Sequence, residues 1–199
     1  GVLKEPVPET RVSLLAEAVT ALTKKGFEVW VEPGAGVNSF CTDDAYVQAG
    51  ASLKALPDIL SGANIVLSIQ QPAQPPASGA VLIGMYQALL HKEKMEAWTA
   101  SGVTVFSMEL LPRTTRAQTM DILSSQANIA GYKAVLLAAN TYGRYFPMFM
   151  TAAGSIAPAK VLILGAGVAG LQAIATARRL GSVVEVFDTR PAVKEEVMS

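Results

Sequence analysis

Short apolar runs alternate with amphipathic segments through residues 1–117. A helix is predicted over residues 9–25, because apolar residues recur there at spacings of three and four. These residues are Val12, Leu15, Val19 and Leu22. Apolar, β-branched runs predict strands at FEVWVE (27–32), ANIVLSI (63–69), VLIGM (81–85) and VTVFSM (103–108), with a further helix over 91–100. Strands that alternate with helices indicate a mostly parallel sheet.

The second half of the chain opens with a long segment that contains no proline. This segment, residues 118–140, predicts a single long helix. Residues 141–159 have no regular pattern, and residues 160–188 predict a strand, a turn, a helix and a second strand. We therefore expect an α/β fold with two Rossmann-like, doubly wound parallel-sheet domains joined by a long helix. The expected boundaries are an N-terminal domain over 1–117, a linking helix over 118–145 and the start of a second domain over 146–199.

The second domain is expected to be incomplete. A doubly wound nucleotide-binding domain normally has about six strands, and two of them fit after residue 160. The chain is therefore expected to be part of a longer functional unit.

Composition narrows the class of protein. Lys and Arg together number 16, as do Asp and Glu, so the chain lacks the clustered basic excess that nucleic-acid binding requires. Hydrophobic residues make up 51% of the chain, which excludes a disordered protein. The single cysteine, Cys41, excludes an internal disulfide framework and a multi-cysteine zinc or iron–sulfur site, and the single histidine, His91, leaves too few ligands for a typical zinc centre. No metal site is therefore expected. No stretch of the sequence predicts a transmembrane helix.

A glycine-rich turn follows the apolar strand VLIL. In Gly165-Ala-Gly167-Val-Ala-Gly170, the first glycine allows a tight turn out of the strand and the second allows a pyrophosphate to approach closely. Gly170 allows the following helix to pack closely on the strand. The helix N-terminus directs free N–H groups and the positive end of its dipole toward the phosphates. The pattern predicts a dinucleotide site.

An acidic residue supports this interpretation. Asp188 ends the second strand, 18 residues after Gly170, where a carboxylate accepts hydrogen bonds from the adenosine ribose. It would repel a 2′-phosphate and so favours NAD(H), although the nearby Arg190 could weaken that preference. A similar string, Gly34-Ala-Gly36-Val-Asn-Ser39, has serine at the third position and is interpreted as a turn.

The predicted long helix carries an unusual polar face. Its small hydrogen-bonding side chains fall within an arc of roughly 80°, which Ser124 widens to roughly 120°. The members of the narrower arc are Gln118, Asp121, Ser125, Asn128 and Tyr132. Because no lysine, arginine or glutamate interrupts the face before Lys133, a buried or ligand-facing surface is a better explanation than a solvated one. Arg113 and Arg116 precede the helix and could add positive charge.

Three longer stretches of the sequence resemble a known protein family. PRTTRAQTMDILSSQANIAGYKAV (112–135), followed by GAGVAGLQAIATARRLGSVVEVFDTRPAVKEEV (165–197), resembles the NAD(H)-binding domain of the proton-translocating nicotinamide nucleotide transhydrogenases. KEPVPETRVSL (4–14) is similar to the opening that transhydrogenases share with alanine dehydrogenases. The resemblance covers nearly the whole chain, and that family domain is about twice as long.

The resemblance implies roles for individual residues. Arg113, Asp121 and Ser124 would orient the nicotinamide ring and its carboxamide. Gln118 would approach a partner domain that binds NADP(H). The turn and the first helical residues would hold the pyrophosphate, and Asp188 the adenosine ribose. The residues implied at the pyrophosphate are Gly165, Gly167, Val168, Ala169 and Gly170.

Two other functions remain open at this stage. An alanine-dehydrogenase-like enzyme would need a substrate-binding lysine and a catalytic histidine, and the corresponding positions here are Ser68 and Gln87. His91 is out of register by four residues. A non-catalytic module that binds NAD is the second alternative.

The resemblance also implies partners and a location. It implies NAD(H) on this chain, NADP(H) on a partner domain, a proton-translocating membrane domain and a homodimer. The component would be peripheral at the inner or cytoplasmic membrane, facing the cytoplasm in bacteria or the matrix in mitochondria.

Overall fold

A computed structural model describes residues 1–112 and 114–198. The chain forms two compact units, of which the first is Gly1–Met120 and the second begins at Asp121. Each unit has its own parallel strands and its own core, so the predicted α/β class with parallel sheets is confirmed.

The first unit alternates strands and helices. Its helices are α1 (Ala16–Thr23), α2 (Asp43–Gln48), α3 (Leu56–Gly62) and α4 (Lys92–Ala100). Its strands are β1 (Trp30–Val31), β2 (Ser52–Leu53), β3 (Ile65–Leu67), β4 (Val81–Gly84) and β5 (Thr104–Ser107). The strands pair in parallel, β1 with β2 and β3 with β4 and then β5. All four predicted strands and the predicted helix over 91–100 therefore have counterparts, although the strands are shorter than expected.

One residue connects the two groups of strands. Val2 makes parallel bridges to Val31 on one side and to Leu67 on the other. Its N–H donates to the carbonyl of Trp30, and the N–H of Leu3 donates to the carbonyl of Leu67. The order is therefore β2, β1, the Val2 segment, β3, β4 and β5. The hydrophobic pattern did not predict this central segment.

The core of the first unit lies against this sheet. One cluster of buried side chains includes Val19, Val31 and Tyr46, and another includes Leu82 and Trp98. Tyr46 and Leu82 are completely buried. Burial of apolar surface on this scale is the main force that stabilises the unit.

The second unit begins with the long helix. Its helices are α5 (Ile122–Thr141), α6 (Val168–Arg179) and α7 (Val193–Met198). Its strands are β6 (Phe149–Thr151), β7 (Gly154–Ile156), β8 (Lys160–Leu164) and β9 (Val183–Phe187). β8 and β9 pair in parallel, and α6 connects them as the sequence predicts. β6 and β7 form an antiparallel hairpin within the stretch that was expected to be irregular.

The two faces of β8 and β9 differ. Ile163 and Val184 pack against α6, in a cluster that also contains Ala173 and Ala177. The alternate residues, which include Leu162, Leu164 and Phe187, are exposed. This period of two is typical of a strand with one buried face.

Two helix predictions are wrong at their N-terminal ends. α1 begins at Ala16 rather than near residue 9. Before it, the Glu9 carboxylate accepts the backbone N–H and the guanidinium of Arg11, which holds these residues in a non-helical conformation. The long helix begins at Ile122, since Asp121 caps it and residues Gln118–Met120 form a separate 3₁₀ turn. Aspartate is among the most favoured N-cap residues, which explains the later start.

Candidate functional site

The glycine-rich turn connects β8 to α6 through a left-handed residue. Gly165 has φ of +93°, a conformation that costs glycine little and other residues more. Its N–H donates to the carbonyl of Phe187 at 2.7 Å, so the turn is fixed to the end of β9. The turn thus lies at the carboxyl ends of two parallel strands, where ligands bind in open α/β sheets.

The other two glycines differ in what surrounds them. A methyl group at Gly170 would lie 1.9 Å from the carbonyl oxygen of Gly165, so the close packing of helix on turn excludes any side chain. A methyl group at Gly167 would meet no protein atom within 4 Å. The space beside Gly167 is therefore open, as a pyrophosphate would require.

The N-terminus of α6 faces the same turn. Gly167 is the N-cap and supplies no side-chain acceptor, so within the described residues no side chain caps this end. The first N–H groups of a helix have no intrahelical partner and carry the positive end of the dipole. Those of Val168 and Ala169 are therefore suited to bind an anion.

The carboxylate of Asp188 also holds the turn in place. Its Oδ2 accepts the N–H of Ala166 at 2.7 Å, and Arg190 donates to the same carboxylate from its backbone N–H, Nε and a terminal nitrogen. The guanidinium of Arg190, and then the amide of Ala166, hold the pKa of this carboxyl well below its usual range. Asp188 is therefore ionised at neutral pH, beside the turn and already paired with a cation.

The N-terminus of α5 contains a local carboxylate–hydroxyl pair. The Asp121 carboxylate accepts the N–H of Ser124 at 2.9 Å and its hydroxyl at 2.6 Å. The two side chains are thus held together at the start of the helix. Gln118 lies on the preceding 3₁₀ turn in the first unit, so the prediction that it shares a helical face with Asp121 is wrong.

Gly131 brings α5 against the start of α6. A methyl group at Gly131 would lie 2.1 Å from the carbonyl oxygen of Ala169. Asn128 donates to the side chain of Gln172 at 3.2 Å across the same contact. Ser124 is seven residues before Gly131, or about 10 Å along the helix axis. No role was predicted for Gly131, whose only signal in the sequence was its place inside a predicted helix.

The predicted residues fall into three sets. Gly165, Gly167, Gly170 and Asp188 are brought together at the turn, with Val168 and Ala169 in the adjoining helical turn. Asp121 and Ser124 contact one another at the start of α5. Gln118 is exposed on the first unit, and Arg113 lies outside the described residues.

The carboxyl ends of β3 and β4 also collect polar groups. The buried carboxylate of Glu5 accepts the N–H groups of Ile69 and Gln70 at 2.6 and 2.8 Å, and burial raises its pKa. Ser68 and Tyr86 hydrogen-bond to each other at 3.0 Å and are buried. Each of these groups has a hydrogen-bond partner within the protein, so the arrangement stabilises the sheet edge.

His91 does not join this group. It is the exposed N-cap residue of α4, and it makes no side-chain capping hydrogen bond. Gln87, which occupies the position of the expected histidine, has a left-handed backbone with φ of +49°.

The second glycine string has a structural explanation. Val37–Ser39 forms a 3₁₀ turn, which confirms the interpretation of this string as a turn. A side chain at Gly36 would overlap the carbonyl oxygen of Cys41, and the Ser39 hydroxyl donates to the carbonyl of Thr10. These contacts account for the glycine and the serine without a ligand.

Metal-binding clusters and membrane-spanning helices are both absent from the described part of the chain. No group of three or more His, Cys, Asp or Glu side chains there could hold a metal ion. Residues 1–112 and 114–198 also include no helix with the length and hydropathy that crossing a membrane requires.

Comparison with protein families gives matches to both parts of the chain. The alanine dehydrogenase/PNT N-terminal domain matches residues 1–130, and the C-terminal domain of the same family matches residues 134–199.

Individual proteins extend this result. The chain is 49% identical over 201 residues to the first part of NAD(P) transhydrogenase subunit alpha from Rhodospirillum rubrum, a match that covers 96% of this chain and 52% of that protein. A transhydrogenase structure from Sinorhizobium meliloti superposes with a TM-score of 0.94 at 48% identity, covering 99% of this chain and 60% of that one. An L-alanine dehydrogenase structure superposes with a TM-score of 0.79 at 28% identity, covering 96% and 54%. The chain spans about half the length of the curated relatives that it matches.

Proposed function

This chain belongs to the alanine dehydrogenase/PNT family, and on that basis we propose that it is the NAD(H)-binding component of a proton-translocating transhydrogenase. The observation that carries the proposal is the fixed turn between β8 and α6, with open space beside Gly167 and an ionised carboxylate at Asp188. The N–H groups of Val168 and Ala169 would hold the pyrophosphate, and Asp188 would accept hydrogen bonds from the adenosine ribose.

The start of α5 is suited to hold a carboxamide. Asp121 offers carboxylate lone pairs, and Ser124 donates its own proton to Asp121, which leaves the hydroxyl lone pairs as acceptors. Both would accept from the amide NH₂ of nicotinamide and fix the orientation of the ring. Arg113 would help to orient the ring and its carboxamide, as the family resemblance implies.

The reaction proposed is direct hydride transfer. A bound nicotinamide supplies or accepts the hydride at its C4 carbon. The chain must then hold the ring at near-attack distance and exclude water, and no side chain needs to move a proton. Residues 55–91 contain no lysine, and the sole histidine, His91, is exposed at the start of α4. The oxidative deamination of an amino acid would need such groups.

Partners and location complete the proposal. The second nucleotide, NADP(H), would be bound by a partner domain. A membrane domain would couple the hydride transfer to proton translocation. This chain would lie at the inner or cytoplasmic membrane, on the cytoplasmic side in bacteria or the matrix side in mitochondria. Exposed apolar side chains at the hairpin of β6 and β7 support a homodimer. Phe149 and Met150 lie on β6 and Met148 directly precedes it, and Met150 is 79% exposed.

The decisive experiment is a reconstitution. The chain is combined with an NADP(H)-binding transhydrogenase domain, NADH and an oxidised NADP analogue, and reduction of the analogue is followed by absorbance. We expect reduction that depends on both proteins. NADH binding without transfer would favour a non-catalytic module, and turnover with pyruvate and ammonia would favour an alanine dehydrogenase; either result would overturn the proposal.

Asp188→Ala is expected to weaken NADH binding on the order of 10-fold, as a lost charge-assisted hydrogen bond implies. It also removes the acceptor for the N–H of Ala166, so the turn loses an anchor. The affinity is measured by NADH fluorescence titration. Asp44→Ala, which changes an exposed aspartate of α2, is the control and should bind normally. Unchanged affinity in Asp188→Ala would show that the ribose is held elsewhere.

Gln118→Ala is expected to slow transfer on the order of 10-fold with little loss of NADH affinity, because a misplaced acceptor lowers the rate and not the binding of the donor. The comparison of single-turnover transfer with NADH titration tests this. Gln48→Ala, at the exposed end of α2, should change neither quantity. A large loss of affinity with normal transfer would contradict the assignment of Gln118 to the partner side.

A further inference from the structure

A chain of hydrogen bonds links the interior of α6 to α5. The hydroxyl of Thr176, which is buried, donates to the backbone carbonyl of Gln172 at 2.8 Å and accepts from Nε2 of the same residue at 3.2 Å. Because a hydroxyl has one proton and this one is used on the carbonyl, the side chain of Gln172 must direct its NH₂ group toward Thr176. Its amide oxygen is left for α5, where it accepts Nδ2 of Asn128 at 3.2 Å.

The two helices run in the same direction. Gly131 packs on Ala169 in the first turn of α6, and beyond the ends of both helices Gly181 packs on Pro147, where a methyl group on the glycine would lie 2.6 Å from the proline side chain. The part of α5 before Gly131 therefore extends past the start of α6. Asn128 lies in this part, about 4.5 Å before Gly131 along the helix axis.

This arrangement places the bond between Asn128 and Gln172 between the two halves of the proposed site. Ser124, at the carboxamide end, is about 6 Å further along α5, whereas the N–H groups proposed for the pyrophosphate are in the first turn of α6. A dinucleotide joins its nicotinamide to its pyrophosphate through a ribose of fixed size, so both halves fill together only at one relative position of the helices. Packing at Gly131 limits how closely the helices approach, and a directional hydrogen bond also limits how far they slide.

We infer that Gln172, acting through Asn128, is a positioning residue that sets the spacing between the nicotinamide and pyrophosphate ends of the site. The inference rests on the proposed function in placing those two groups at α5 and α6. A preorganised spacing lowers the cost of binding a ligand that contacts both helices, and it holds the ring where hydride transfer requires it. Loss of the bond should therefore weaken NADH binding and slow transfer, while a ligand that needs only α6 binds as before.

The test compares NADH with ADP-ribose, which has the pyrophosphate and both riboses but lacks the nicotinamide. Dissociation constants are measured by calorimetry on the wild-type chain and on Gln172→Met, whose side chain has a similar length but no amide group. We expect the affinity for NADH to fall on the order of 5-fold and the affinity for ADP-ribose to stay unchanged. Single-turnover transfer to the NADP(H)-binding partner domain should slow by a similar factor.

The ratio of the two affinities separates positioning from a purely structural role. A general loss of folded protein would lower the binding of NADH and ADP-ribose together and leave their ratio unchanged. Circular dichroism confirms that each variant is folded. Gln48→Met, the same substitution at the exposed end of α2, is the control and should change neither affinity.

Two further variants identify the bond itself. Asn128→Ala removes it from the exposed side of the contact and should have the same effect as Gln172→Met, and the double variant should bind NADH no more weakly than either single variant. Gln172→Glu keeps an acceptor for Nδ2 of Asn128 and should restore most of the NADH affinity.

Three results would overturn the inference. They are equal losses of NADH and ADP-ribose affinity in Gln172→Met, normal NADH affinity in a folded Asn128→Ala protein, and a Gln172→Glu protein that binds NADH as weakly as Gln172→Met. Failure of the wild-type chain to bind NADH or ADP-ribose would instead overturn the proposed function.

Discussion

Gly131→Ala is expected to destabilise the second unit by about 2 kcal/mol. The added methyl group would lie 2.1 Å from the carbonyl oxygen of Ala169, and a backbone atom cannot turn aside. Forcing α5 and α6 apart costs about 3 kcal/mol or more, and the better helix propensity of alanine returns about 1 kcal/mol. The free energy of unfolding is measured by urea titration, followed by circular dichroism.

A second glycine serves as the control for this substitution. Gly143 has no protein atom within 4 Å of a built methyl group and has no left-handed φ, so Gly143→Ala should leave stability unchanged. We also expect Gly131→Ala to bind NADH more weakly, because Ala169 lies in the first turn of α6. A Gly131→Ala protein as stable as wild type would show that α5 and α6 do not pack closely at Gly131.

Gly170→Ala and Gly167→Ala are expected to separate folding from binding. The methyl group of Gly170→Ala would lie 1.9 Å from the carbonyl oxygen of Gly165, so the turn must open. We expect the free energy of unfolding to fall by about 3 kcal/mol and NADH binding to be lost. Gly167→Ala meets no protein atom and has an ordinary φ of −77°, so it should fold like the wild type. It should still lose NADH affinity, because its methyl group fills the space proposed for the pyrophosphate.

These two variants are measured side by side by urea unfolding and NADH titration. Normal NADH binding by a stable Gly167→Ala protein would show that the pyrophosphate lies away from the turn. Normal stability of Gly170→Ala would contradict the close packing of α6 on Gly165.

The unit built from β8, α6 and β9 could be predicted almost residue by residue. Its cues agree with one another: an apolar strand, glycines at the turn, an amphipathic helix and a second apolar strand. The proposal that the turn binds a dinucleotide rests on the same local pattern of residues. For Asp188 the sequence predicted a position, but not that its carboxylate would bond the amide of Ala166 and pair with Arg190.

Other features depended on contacts that sequence periodicity does not report. The beginning of α5 was misplaced because the apolar and polar pattern continues through Gln118, whereas the Asp121 side chain ends the 3₁₀ turn and caps the helix. The need for glycine at position 131 comes from a helix 38 positions further on, at Ala169. The Val2 segment is too short to show an alternating pattern, and its place is fixed only by the strands on either side.

The joining of the first sheet through Val2 has a consequence for how that unit assembles. The strands at the centre of this sheet can pair only after segments far apart along the chain have come together. Glu5 and the amide of Ile69, which hydrogen-bond to each other, are 64 positions apart. Bringing such distant segments together costs conformational entropy before the contacts between them form. Long-range pairing of this kind therefore slows folding. The β1–β2 and β3–β4–β5 groups should therefore gain their structure in one cooperative step, and neither should persist alone.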